Sequence, residues 1–111
     1  MVFDFRDFQY RVGNDIDLLR IIIVTFVEEM PQKIKQLEFS LKNNNANESH
    51  LIAHTIKGLA VNVSAINISK EAKTIERFCK EKNCEWALQK VESLKDEYKK
   101  FVKYVEHIMH Y

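Results

Sequence analysis

Apolar residues return at three- and four-residue steps along almost the whole chain, the mark of helices that each bury one face. Leu19, Ile22, Ile23, Phe26, Met30, Ile34, Leu37 and Leu41 trace the first long helix. Asn14, with Asp17 three residues on, has the spacing of an N-cap. Pro31 falls inside this pattern, so a kink is expected near Val27, whose carbonyl loses its usual donor. The polar stretch "NNNANESH" reads as a loop, and Asn45 with Glu48 has the N-cap and N3 spacing that starts a second helix. That helix is expected to end near Val63 and Ser64. A third places Ile68, Ala72, Ile75 and Cys79 on one side. "KEKNCEW" is a polar connector with Asn83 as the next cap. A fourth helix then runs to the C-terminus through Ala87, Val91, Leu94, Tyr98, Phe101, Val105 and Ile108, with Trp86 also at core spacing. Ahead of them all, "FDFRDFQYR" predicts a short helix whose Phe3, Phe5 and Phe8 cover one end. No segment needs a strand. The expected fold is all-α: an antiparallel up-down four-helix bundle with a short N-terminal capping helix, a single domain over 1–111.

Composition narrows the picture further. A chain of 111 residues has room for one modest core. Two glycines and one proline are too few for a protein of many tight turns. The net charge is +1, and lysines interleave with acids, as in "LKDEYKKFVKYVEH", so no single-sign stripe for nucleic acid emerges. Cys79 and Cys84 are five apart, neither a CxxC redox pair nor a zinc-knuckle spacing, and a reduced cytoplasmic setting is expected. The longest apolar run, "IIIVTFV", is too short to cross a bilayer, and no signal peptide precedes it. No direct membrane insertion is expected; work at a membrane would need an anchor elsewhere, for example in a longer protein of which this is one domain.

The stretch "AHTIKGLAVNVSA", residues 53–65, is harder to explain by packing. At about 100° per residue, Ile52, Ile56, Leu59 and Val63 share one face and His54 points almost opposite. His50 and Lys57 fall on the same outer sector as His54; Gly58 and Val61 flank it, and Leu51 stands at its edge. Gly58 costs about 1 kcal/mol relative to alanine in a helix interior. Space for a bulky partner close to the imidazole would compensate. Lys57 would meet an anion carried by the ring as a point charge with three donors. On the third helix, Lys73, Glu76 and Lys80 form a stripe that borders His54 if the two helices are antiparallel neighbours. A carboxylate accepting from Nδ1–H would hold the tautomer that leaves the Nε2 lone pair free, and Glu76 is the candidate.

These residues resemble the signature of histidine-containing phosphotransfer (HPt) domains, approximately A-H-x-L-K-G-x-A-x-N-L-G-A, and "DIDLLRIIIVTFVEEMP" is similar to that family's first bundle helix. The resemblance covers nearly the whole chain. It implies that His54 is the phosphoacceptor, Lys57 the lysine beside the phosphoryl group and Gly58 the residue that clears the approach. It also implies that Glu76, 22 residues after the histidine where many members carry Gln or Glu, contacts the imidazole. His50, Leu51, Val61, Lys73 and Lys80 are then docking or secondary residues. Two positions depart from the pattern. Ser64 stands where glycine is usual, a strained place for serine if the turn needs positive φ, and Val61 is larger than the common Gly or Ala.

The function so implied is a phosphorelay intermediate, a carrier and not an enzyme. It would take a phosphoryl group from a receiver-domain aspartyl phosphate and pass it to another receiver. Expected partners are response-regulator receiver domains or a hybrid sensor histidine kinase. No cofactor of its own is expected, and Mg²⁺ would sit on the receiver. Two other readings compete: the phosphoacceptor domain of a larger histidine kinase, and an HPt-shaped adaptor that is never phosphorylated. His50 and His54 also have the i, i+4 spacing of a zinc pair, but Lys57 puts positive charge where the metal would sit, so no metal site is expected. His107 and His110 are expected to favour the last helix's C-terminus or to meet solvent. No Ser/His/Asp or Cys/His arrangement and no glycine-rich nucleotide loop is present.

Overall fold

The computed structural model describes residues 1–109, the side chain of Met109 excepted. Five helices follow in order: α1 (Phe5–Val12), α2 (Ile16–Lys42), α3 (Ala46–Asn62), α4 (Ile66–Lys80) and α5 (Cys84–Met109), with no strand among the described residues. The long helices pack in a ring, α2 against α3 and α5, and α4 against α3 and α5. Their inward faces build one core from residues such as Leu19, Met30, Leu37, Ile56, Ile75, Leu94 and Phe101.

Helices α1, α2, α3 and α5 start where a short polar side chain satisfies a free backbone N–H, whereas α4 begins after Ala65 with no side-chain cap. Asn45 Oδ1 accepts from Glu48 N (3.1 Å) while Asn45 Nδ2 donates to Glu48 Oε2 (3.0 Å), locking the first turn of α3 from both sides. Asn83 accepts from Trp86 N (3.1 Å) and opens α5. At α2 the cap lies one residue later than the spacing of Asn14 and Asp17 implies: Asp15 accepts from Leu18 N (3.1 Å), and Asn14 instead accepts from Gln9 Nε2 at 2.9 Å. Asp15 and Asn14 are both competent caps, and the bond back to α1 decides between them.

Pro31 does not interrupt α2. The carbonyl it deprives of a donor, Val27 O, accepts instead from the Tyr98 hydroxyl of α5 at 2.6 Å. Two other expectations for α5 need correction. Trp86 is 55% exposed and meets Phe78 of α4 edge-on, centroids 5.7 Å apart, because Cys84 and Ala87 take the inward positions of that first turn. Ile108 is exposed, Val105 being the last fully buried residue of that row.

The N-terminal segment closes the end where α2 begins. Phe3 and Phe8 are buried, Phe3 edge-on to Phe101 (5.3 Å) and Phe101 in turn to Phe26 (5.1 Å); Phe5 is only partly covered. The segment is tied to the α3–α4 turn through Ser64, which does adopt positive φ (+57°) and is buried. Its hydroxyl donates to Asp7 and accepts from Arg11 Nη2 (2.7 Å), its carbonyl accepts from Asp4 N (2.9 Å), and Arg11 also reaches Val61 O at the end of α3. A serine thus bears the left-handed conformation here in exchange for bonds that glycine could not make.

Candidate functional site

The row of α3 that is fully buried is Ser49, Ala53, Ile56 and Ala60, continued by Val63 beyond the helix; Ile52 and Leu59 stand half-buried at its edge. The buried centre is therefore rotated from the one drawn through the large aliphatic residues. Small side chains at 53 and 60 let α4 come close, and periodicity weighted by bulk does not register Ala or Ser as core. His54 still faces outward, its side chain 64% exposed.

The rotation places α4 beside the ring. His54 Nδ1 lies 2.6 Å from Glu76 Oε2, and Lys57 Nζ donates to the other carboxylate oxygen, Oε1, at 2.8 Å. Burial pushes the Glu76 carboxyl up, but the bonds from Lys57 and His54 outweigh it and hold the group below its ordinary value of 4.5. An ionised carboxylate only accepts, so the proton of the short contact belongs to His54 Nδ1, and the lone pair of a neutral ring is left on Nε2. Glu76 is mostly covered, 15% exposed, and so fixes the ring from a rigid helix. Lys57 is engaged with Glu76 instead of standing as a free cation.

Around this trio, His50 lies nearly parallel to His54 (10°) at 6.5 Å, one turn back. A Cβ added at Gly58 would meet nothing within 4 Å, so neither packing nor backbone conformation requires glycine there. Leu51 and Val61 are 66% and 50% exposed. Lys73 and Lys80 are exposed on α4 and line grooves along the α3–α4 crease. One groove, about 310 Å³, is bounded by His50, Lys73, Glu76, Arg77 and Lys80; the next, about 380 Å³, by Asn47, His50, Leu51, Cys79, Lys80 and Lys82. Arg77 and Lys82 join the lining beyond the residues singled out by sequence. Arg77 is within reach of helical spacing, four residues after Lys73 and three before Lys80 on the same face of α4. Lys82 is not, because it lies past the helix at φ +61° and turns toward α3 to bond Asn47 (2.9 Å). Across α3, its crease with α2 holds an apolar groove of about 210 Å³ between Ile21, Ile22, Phe26, Leu59 and Val63.

Among the described residues no group of three or more His, Cys, Asp or Glu side chains stands together as a metal site, and no helix is long and apolar enough to cross a membrane. His107 is exposed in the last turn of α5, and His110 lies outside the described residues. Cys79 and Cys84 are free and buried.

Comparison with known proteins gives one finding: the family model of the Hpt domain matches residues 22–103. No curated protein and no solved structure gives a match. The matched span takes in the His54–Lys57–Glu76 trio and most of the four long helices. The chain belongs to the Hpt domain family, helical-bundle carriers of histidine phosphotransfer in two-component signalling.

Proposed function

We propose that the chain is a single cytoplasmic domain, its four long helices running up and down antiparallel, that relays a phosphoryl group between response-regulator receiver domains through His54. The observation that carries this reading is the shared carboxylate, with Glu76 accepting from His54 Nδ1 at 2.6 Å and from Lys57 at 2.8 Å. It prepares a solvent-facing ring as a nucleophile at the other nitrogen.

In the proposed step the Nε2 lone pair attacks the phosphorus of a receiver's aspartyl phosphate. The bond from the aspartate oxygen to phosphorus breaks, and the carboxylate leaves with its electron pair. The ring keeps its Nδ1 proton and gains positive charge directly in front of Glu76, whose charge offsets it. Lys57, on the same side of α3, is within reach of the new phosphoryl oxygens once it releases Glu76. Transfer onward reverses the sequence at a second receiver. Positioning and charge neutralisation dominate phosphoryl transfer, and the receiver brings the Mg²⁺. Gly58 leaves the approach to Nε2 open.

The test is incubation with a phosphorylated receiver. The domain should acquire label that is stable in alkali and lost in acid, and His54→Gln should abolish it without loss of helical content. Label that survives in His54→Gln refutes the assignment. A wild-type chain that binds receivers but never takes label is an adaptor.

A further inference from the structure

The two flanks of α3 differ in chemistry. Along the α3–α4 crease the groove walls carry Lys73, Arg77, Lys80 and Lys82, all exposed, with His50 between the two grooves. Glu76 is the one carboxylate among the lining residues, and its charge is already met by Lys57 and His54. Along the α2–α3 crease the lining is mostly aliphatic and aromatic. The exposed His54 ring stands on the helix between them. A charge imbalance of this kind steers encounter and fixes orientation more than it adds affinity.

We infer that the Lys73–Arg77–Lys80–Lys82 crease is a specificity surface for a carboxylate-rich rim on the receiver, so that the partner docks with its acidic side over α4 and its apolar contact over α2. The inference rests on the relay reading for the identity of the partner. Its chemical ground is separate. A receiver that holds Mg²⁺ beside a reactive aspartate must supply oxygen ligands, chiefly carboxylates, around the atom that meets His54. Such a rim matches a cationic border and would be repelled by an acidic one. Arg77 is the strongest single contributor: its guanidinium lies over the Phe78 ring at 5.1 Å, which restrains it while leaving its donors for a carboxylate.

The experiment is a binding measurement, so that it does not depend on phosphoryl acceptance. In a His54→Gln background, the receiver that binds tightest from a panel is titrated, with Mg²⁺ present, at salt from roughly 0.05 to 0.5 M, across which screening shortens severalfold. The triple variant Lys73→Glu, Arg77→Glu, Lys80→Glu should bind about tenfold or more weakly at low salt, with its salt dependence flattened or reversed. A control reversal on the outer face of α5, Lys99→Glu with Lys103→Glu, should bind as the parent does. Receiver acids changed to lysine should restore binding to the triple variant and weaken binding to the parent. Unchanged affinity and salt dependence in the triple variant, or an equal loss in the α5 control, overturns the inference while the relay reading stands. Absence of label on His54 with charge-dependent binding intact does the opposite.

Discussion

Glu76 serves two donors at once, and replacing its charge separates their contributions. Glu76→Gln keeps an oxygen for His54 Nδ1–H but removes the charge that faces the ring as it becomes cationic. A hydrogen bond to a charged group is worth about 1.5–3 kcal/mol, so loading of His54 should slow by roughly 10- to 100-fold. The same carboxylate is linked to folding. Its value is depressed below 4.5, so its contribution to stability is present above that pH and is lost as the pH falls through the folded-state value. The stability difference between the parent and Glu76→Gln should therefore vanish in acid; a difference that persists there would show that the charge is not its source. Gly58 calls for the opposite experiment. Open space at its Cβ predicts that Gly58→Ala folds and gains about 1 kcal/mol in denaturant unfolding. It should nonetheless slow transfer by about tenfold or more, since displacing a reacting pair by ~1 Å costs on the order of 100-fold. The outward placement of His54, and a carboxylate at position 76 to meet it, could be read from helical spacing and a short motif. That Lys57 bonds the same carboxylate could not, because spacing along one helix says nothing about which oxygen of a neighbour a lysine selects.

Among the helices, α2 shows how a local rule is overridden by a distant partner. Proline at 31 removes the donor for Val27 O, and Tyr98, 71 positions along the chain, supplies one. Tyr98→Phe should destabilise the fold by about 1–3 kcal/mol, the cost of an unsatisfied carbonyl. In a Pro31→Ala background, where the backbone N–H returns, most of that penalty should disappear. Additive effects in this double-mutant cycle would refute the compensation. The existence and order of the helices were legible because the apolar period is long and the Asn45 and Asn83 caps sit at their boundaries. What escaped were features set by contact between elements: the cap at Asp15, the outward turn of Trp86, and a buried face of α3 built on Ser49, Ala53 and Ala60. Small residues carry little hydrophobic signal, yet they govern how closely two helices approach, and here that approach brings Glu76 to His54.

Over the whole molecule, helix lengths are unequal. With 27 and 26 residues, α2 and α5 each run about 40 Å, nearly the full 42 Å of the long axis, while α3 and α4 have only 17 and 15. The step left by the shorter pair is filled by the N-terminal segment and α1, with Phe8 against Phe3, Phe3 against Phe101 and the bonds at Ser64. The opposite end is closed by the α4–α5 turn, and there the two thiols lie inside the protein. Burial, with Cys84 and Glu76 nearby, pushes the Cys79 thiol up to about 11. A thiol so held stays protonated near neutrality and is a poor nucleophile, whereas an unfolded cysteine ionises near 8.5. Iodoacetamide should therefore modify Cys79 only when the chain opens, and rapid stoichiometric alkylation of the native protein would contradict the burial. Cys79 thus acts as a built-in stopwatch: the pace at which it takes up the reagent reports how often the molecule comes apart at that end.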